Sequence, residues 1–389
     1  MMSRTLQSFC VALALFSINM AANAATLSLS KTPLYLGGGV EPNIMFILDD
    51  SGSMVFEVTP DDLAFPGSSY AALLFPSPDS VYGSGTPYPS YSKTLLEVAT
   101  VDDNDPYNAT TRSPQFNSTY YDPSVTYRPW VKEDGTLYPD ANPSCAWHNP
   151  ENTGSCPYGD VNSVARDLTR NNDNYNNNRW RDCNSSGSCS TTTWNKSFWP
   201  ATYFWHNGGS QWNWNNYTRV EIRSSTANYS GHNRSNRDDC GGDGVCSYAQ
   251  EIQNFANWYT YYRSRILTAR ASIGRAFVDQ SKKRIGYGTI NKGSSDVDGI
   301  STGTIIDGVR DFETAREDFF DNLYGRDIPA LGTPLREALD DVGQYYSRTD
   351  SKGPWSSTPG ESGGTDHSCR LNYGIMMTDG YWSGGSSYD

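Results

Sequence analysis

Between Pro42 and Met54 the chain reads Pro-Asn-Ile-Met-Phe-Ile-Leu-Asp-Asp-Ser-Gly-Ser-Met, an apolar run that ends in a polar loop. Asp49, Ser51 and Ser53 fall at alternate positions of that loop. Their side chains offer only oxygen, a hard donor set that suits magnesium, calcium or manganese better than zinc. Ile44 to Leu48 are expected to form a short buried strand, and open α/β sheets present ligand groups just beyond the carboxyl ends of such strands.

The Asp-x-Ser-x-Ser pattern resembles the first part of the metal-ion-dependent adhesion site of von Willebrand factor type A domains. The resemblance implies a Rossmann-like α/β fold, and it implies that a distant Thr and a further Asp complete the site. Gly332-Thr333-Pro334-Leu335 opens a helical pattern, and Ile375-Met376-Met377-Thr378-Asp379-Gly380 is a second apolar strand ending in an acid. The implied metal ligands are therefore Asp49, Ser51, Ser53, Thr333 and Asp379. Two carboxylates and three neutral hydroxyls balance a divalent cation, magnesium or calcium with manganese as an alternative, but leave it short of the oxygens it prefers. The remaining position would accept water or a partner's carboxylate.

Several elements must bring those segments together. From Ser247, the residues Ile252, Phe255, Tyr259, Tyr262, Ile266, Ala269, Ile273 and Phe277 recur at spacings of three and four, the pattern of one long amphipathic helix. Ser247 and Gln250 fit a capping box at its start, and Lys282 and Lys283 suit its end. Arg263, Arg270 and Arg275 fall off the apolar stripe and are expected on a solvated face. Residues 284–290 alternate as a strand and 303–309 hold another. Helices are expected over 313–323 and 334–346, the latter with Pro334 at its first position, and a strand over 371–377. Strands alternating with helices imply a parallel sheet covered on both faces. Only Gly380 to Asp389 follow Asp379, so the type A domain is expected to be truncated at its C-terminus.

Residues 1–24 carry Arg4, an apolar run from Phe9 to Met20 and Ala22-Asn23-Ala24, the ingredients of a secretory signal with a small-residue cleavage site. The apolar run is too short for a permanent bilayer span, so an exported chain without a transmembrane anchor is expected. Residues 25–54 then form the first strand and metal loop, 55–246 an insertion, and 247–389 the rest of the domain. The net charge of −13 argues against bulk binding to nucleic acid or anionic lipid and is compatible with cation binding.

The insertion holds eight of the eleven Trp residues, too many aromatics for simple disorder. Its aromatic side chains either fill small cores, the favoured reading, or offer a second contact surface. Six of its cysteines lie as close neighbours, and pairing Cys145 with Cys156, Cys183 with Cys189 and Cys240 with Cys246 is the economical choice in an oxidising compartment. Zinc is the alternative, though neither Cys-x-x-Cys nor His-x-x-x-His spacing occurs among these residues. Cys369 is left unpaired.

Three stretches resemble the N-terminal region of the PilY-type family of type IV pilus tip-associated adhesins and biogenesis factors. They are Tyr120-Tyr121-Asp122-Pro123-Ser124-Val125-Thr126-Tyr127-Arg128-Pro129-Trp130, the run from Glu251 to Tyr262, and Cys369-Arg370-Leu371-Asn372-Tyr373 leading into Asp379. The resemblance implies export through the periplasm to the pilus tip or cell surface. It implies minor pilins as assembly partners and a host-cell or abiotic surface as ligand. The family's C-terminal β-propeller is not expected within these 389 residues. A type A scaffold that binds sibling subunits without adhering is the nearest rival reading.

An enzyme is the more distant rival. Gly360-Glu361-Ser362-Gly363-Gly364 satisfies Gly-x-Ser-x-Gly, with Asp366 and His367 close by. A nucleophile elbow needs an apolar strand before it and a helix after it, and neither pattern is present. Asp102-Asp103-Asn104-Asp105 and Asp296-Val297-Asp298-Gly299 resemble parts of calcium loops but lack the full alternating ligand series, so solvated turns are expected there.

Overall fold

The computed structural model describes residues 40–64, 73–75, 81–82, 98–99, 106–154, 156, 164–181, 194–329, 331–380 and 382–383. The expected signal segment, Cys183 with Cys189, and the acidic run at 102–105 lie outside the described residues.

The first strand, β1, is Asn43–Leu48. An aromatic-rich region follows, in which β2 (Thr202–His206) and β3 (Tyr217–Glu221) pair as an antiparallel hairpin. The chain continues through helices α1 (Tyr248–Tyr261) and α2 (Arg265–Phe277), then strands β4 (Arg284–Thr289) and β5 (Ile305–Asp311). Helices α3 (Phe312–Gly325) and α4 (Leu335–Tyr346) precede the last strand, β6 (Asn372–Met377).

Four of these strands form one sheet in the order β5-β4-β1-β6. Both β4 and β6 run parallel to β1, while β5 runs antiparallel to β4 at the edge. The expected parallel sheet is therefore mixed, as many α/β sheets with an antiparallel edge strand are. By chain order the strands lie third, second, first, fourth. That is the start of the doubly wound order, which reverses between its first and fourth strands. The register sets Leu48 level with Thr289 on one side and Met377 on the other, so the three parallel strands end together.

Side chains of β1 alternate between two cores because successive strand residues face opposite sides. Phe46 packs under α2 and α3, with ring centroids 5.2 Å from Phe277 and 6.4 Å from Phe319. Met45 and Ile47 face α4 and meet Val342 and Tyr345. Both faces of β1 are thus covered, but the expected cover does not extend to β6 at the sheet's edge, where Tyr373 and Ile375 are exposed. Gly286 and Gly288 let β5 approach β4 closely: a Cβ would lie 2.8 Å from the Asp307 carbonyl oxygen at the first and 2.6 Å from that of Thr304 at the second. The ladder shifts register at the same place, the local irregularity that strand glycines often mark.

The expected long helix is two. Its capping box at Ser247 and Gln250 is present, but α1 stops at Tyr261, and Ser264 caps α2 by accepting from the Leu267 N–H. The break frees the Arg265 N–H to donate to the Phe56 carbonyl at 3.0 Å. It also changes the arginines. Arg275 is exposed as expected, but Arg263 is 1% exposed and Arg270 is fully buried. Arg263 pairs with Glu57 at 2.6 Å, and Arg270 donates to the Arg326 carbonyl. A stripe count misses this because a long guanidinium is buried once a carboxylate or carbonyl from another segment meets it. Pro334, expected as the first residue of α4, stands just before it as the N-cap.

Residues of the 55–246 stretch share one apolar core with the helices. Tyr121 lies 4.9 Å from Phe255 and 5.9 Å from Trp258 of α1, and Trp130 stacks on Tyr324 of α3 at 4.6 Å. Cys145–Cys156 and Cys240–Cys246 are disulfides, and Cys369 is free and exposed. Among the described residues no helix is long and apolar enough to cross a membrane.

Candidate metal centre

Asp49 follows β1 directly and is fully buried. Its N–H extends the ladder by donating to the Met377 carbonyl at 2.9 Å, which sets it beside the exit of β6. One carboxylate oxygen accepts from the Ser51 N–H at 2.8 Å, and the other from the Thr378 hydroxyl at 2.7 Å. The loop turns because Ser51 precedes a short 3-10 turn, Gly52–Val55. From there the hydroxyls of Ser51 and Ser53 lie 3.1 Å apart, and the Ser53 hydroxyl donates to Asp379 at 3.0 Å. Asp49, Ser51, Ser53 and Asp379 are thus joined in one hydrogen-bonded chain across 330 residues of sequence (numbers 49–379).

Thr333 reaches the same end of the sheet through its backbone. The Gly52 N–H donates to the Leu331 carbonyl at 3.1 Å, and the Asn291 side chain donates to the Gly332 carbonyl at 2.8 Å. Thr333 itself is held by Ser383, whose hydroxyl accepts from the Thr333 N–H at 2.7 Å. The whole arrangement sits beyond the carboxyl ends of β1 and β6, where the strand order reverses and open α/β sheets bind ligands.

Burial raises the Asp379 carboxyl above its ordinary value, opposed by its hydrogen bond and ion pair with Arg265 and reinforced by Asp49. The neighbouring Asp50, also fully buried, is raised by burial as well, against bonds from Thr289 and Asn291 and the charge of Arg326. Two carboxylates, with hydroxyls between them, fit a hard divalent cation and not a soft one. Among the described residues no three of His, Cys, Asp and Glu gather at metal-ligating distance; between the two carboxylates lie the serine hydroxyls.

Arg265 is the member of this cluster that the sequence did not reveal. Its Nη1 donates to Asp379 at 2.7 Å and its Nη2 to Asp61 at 2.5 Å. Ser264 was the available signal, since a Ser that can cap a helix marks the position after it as a first turn. The continuous apolar stripe concealed it.

The remaining candidates fall elsewhere. Asp298 is not a solvated turn: its carboxylate accepts from Arg310 at 2.5 Å and from the Tyr345 hydroxyl at 2.8 Å. Ser362 lies exposed in the irregular stretch between α4 and β6, with no strand before it and no helix after it.

Fold and site together define an α/β protein with an oxygen-rich cluster at the switch point of its sheet. Over 377 residues, 94% of its length, the chain is 29% identical to the type IV pilus biogenesis factor PilY1 of Pseudomonas aeruginosa strain PAK. It is 28% identical over 362 residues to the PilY1 of strain UCBPP-PA14. The likeness to the PilY-type family thus holds across nearly the whole chain. The chain spans about a quarter of the length of these curated relatives, 26% and 25%. No family model matches it, and no solved structure matches it.

Proposed function

We propose that this chain is a type A domain region of a type IV pilus-associated protein, and that Asp49, Ser51, Ser53, Thr333 and Asp379 bind magnesium or calcium there. The observation that carries the reading is the hydrogen-bonded chain from Asp49 to Asp379, built by residues distant in sequence at the one place where such sheets bind ligands. Fixed loops from three segments supply the oxygens, and an ion so held has a coordination position left for a partner's Asp or Glu. Through that position the protein contacts minor pilins during pilus assembly and an acidic group on a host or abiotic surface during attachment. The names of the relatives support the pilus setting.

The test is paired. Asp49→Ala lowers divalent-ion affinity in the isolated chain by about tenfold or more, the loss that follows even when only a group supporting a metal ligand is removed. The same change in the complete pilus protein lowers surface attachment. Wild-type values of both for the Asp49→Ala protein would refute the reading.

A further inference from the structure

We propose that Arg265 sets the cation affinity of this cluster, acting as a resident positive charge with which an incoming ion must share Asp379. The inference deepens the metal-binding reading above and rests on it.

Arg265 is the first residue of α2 and is 8% exposed. Its guanidinium is held in place on nearly every side. Nε donates to the Val58 carbonyl at 3.1 Å and the Thr59 hydroxyl at 3.2 Å, and Nη2 donates to Val58 again at 2.8 Å. The Phe56 ring lies 5.2 Å from its central carbon. What remains is directed at two carboxylates, Asp61 through Nη2 and Asp379 through Nη1. An arginine so anchored cannot swing away when a cation arrives, because four of its contacts are to residues 56–59, outside the cluster.

Asp379 is therefore divided. One oxygen faces Ser53 and the hydroxyls, and the other faces Arg265. A fixed positive charge on the far oxygen opposes a divalent ion on the near one, since like charges a few ångströms apart repel strongly where water is largely excluded. Asp61 works the other way. By taking part of the guanidinium's charge it leaves Asp379 more negative towards the ion. The relay Asp61–Arg265–Asp379 thus tunes the centre from the segment that leads into the aromatic stretch. Without the cation, the same guanidinium keeps two carboxylates from standing close together uncompensated.

Competition and simple structural support make opposite predictions for one variant. Manganese(II) binding to the full chain is measured by calorimetry, with thermal unfolding of the metal-free protein in parallel. Arg265→Gln is expected to melt at lower temperature without metal yet bind manganese on the order of tenfold more tightly. Arg265→Lys keeps the charge and stays within about threefold of wild type. Asp61→Asn, which leaves the arginine to Asp379 alone, binds several-fold more weakly. If Arg265→Gln loses both stability and affinity, or keeps wild-type affinity, the inference is overturned. Should that variant fail to fold, Asp61→Asn decides: unchanged or tighter binding overturns the inference. A wild-type chain that binds no manganese removes the metal-binding reading itself and this inference with it. Wild-type binding with no tightening in Arg265→Gln removes only the inference.

Discussion

Glu57 and Glu251 are buried carboxylates, and arginines from other parts of the chain meet the charge of each. Glu57 accepts from Arg263 at 2.6 Å and from the N–H groups of Leu74 and Phe75, so it fastens the segment after the Asp49–Ser53 loop to the link between α1 and α2. Glu251 accepts from Arg234 and Arg237, each at 2.6 Å, and from the Tyr121 hydroxyl at 3.0 Å. Removing one partner of such a pair strands the other charge away from water, which costs about 3–5 kcal/mol. Arg263→Ala is expected to lose that much in urea unfolding, while Arg275→Ala, on the exposed face, stays within about 0.5 kcal/mol. Equal effects would show that the Glu57 pair is not buried in solution. His232 carries a pH signature. Burial, then the nearby Arg234, holds its imidazole down from 6.5 to about 4, where it stacks on Trp205 and bonds the Tyr203 hydroxyl. The folded state therefore favours the neutral ring. Its contribution is complete above the unfolded value and is lost as pH falls from 6.5 through about 4. His232→Gln flattens that part of the stability profile, and a profile unchanged by the substitution would show that the ring is not held neutral.

At the scale of elements, β1, β4, β6, α3 and α4 were legible because each bears a clear period and ends at a recognisable boundary. The break between α1 and α2 and the role of the β4 glycines were not. A spacing of three and four persists from Ile252 to Phe277, yet the chain breaks at Tyr262 and restarts at Ser264. Periodicity reports which residues face the core and is silent on whether the axis is continuous. The glycines of β4 were equally mute. Their purpose is visible only beside the segment that leads into β5, where the Thr304 carbonyl oxygen would meet a Cβ at Gly288 at 2.6 Å. Gly288→Ala is expected to destabilise the chain by about 1–3 kcal/mol through displacement of β5, the cost of overpacking a filled position. Amide exchange should then quicken in residues 305–311. A neutral substitution would mean that β5 has room to move.

Over the whole molecule, the residues proposed for the cation site were picked from three motifs, each with its own local signature, a strand running into oxygen or a Thr opening a helix, and four of them, Asp49, Ser51, Ser53 and Asp379, are joined by hydrogen bonds. What sequence could not supply was the counter-charge. Arg265 reaches Asp379 only because the helix break presents it there and residues 56–59 hold it. The extent of the aromatic core was likewise hidden. Trp130 and Tyr121 come from the long stretch after the Asp49–Ser53 loop, yet they pack on α3 and α1. A second, independent core was not required by their number, and a shared one follows from where their rings find partners. Such sharing means that the stretch and the sheet should unfold together. A cation bound by segments as distant as Asp49 and Asp379 would then stabilise both at once. The most direct test is urea unfolding of the full chain with and without magnesium, followed through tryptophan fluorescence, beside the Asp379→Asn variant. With magnesium at one hundred times its dissociation constant, the wild type should gain about 2.7 kcal/mol and the variant should gain almost nothing. Wild-type curves that coincide with and without magnesium, and with and without calcium, would contradict the account.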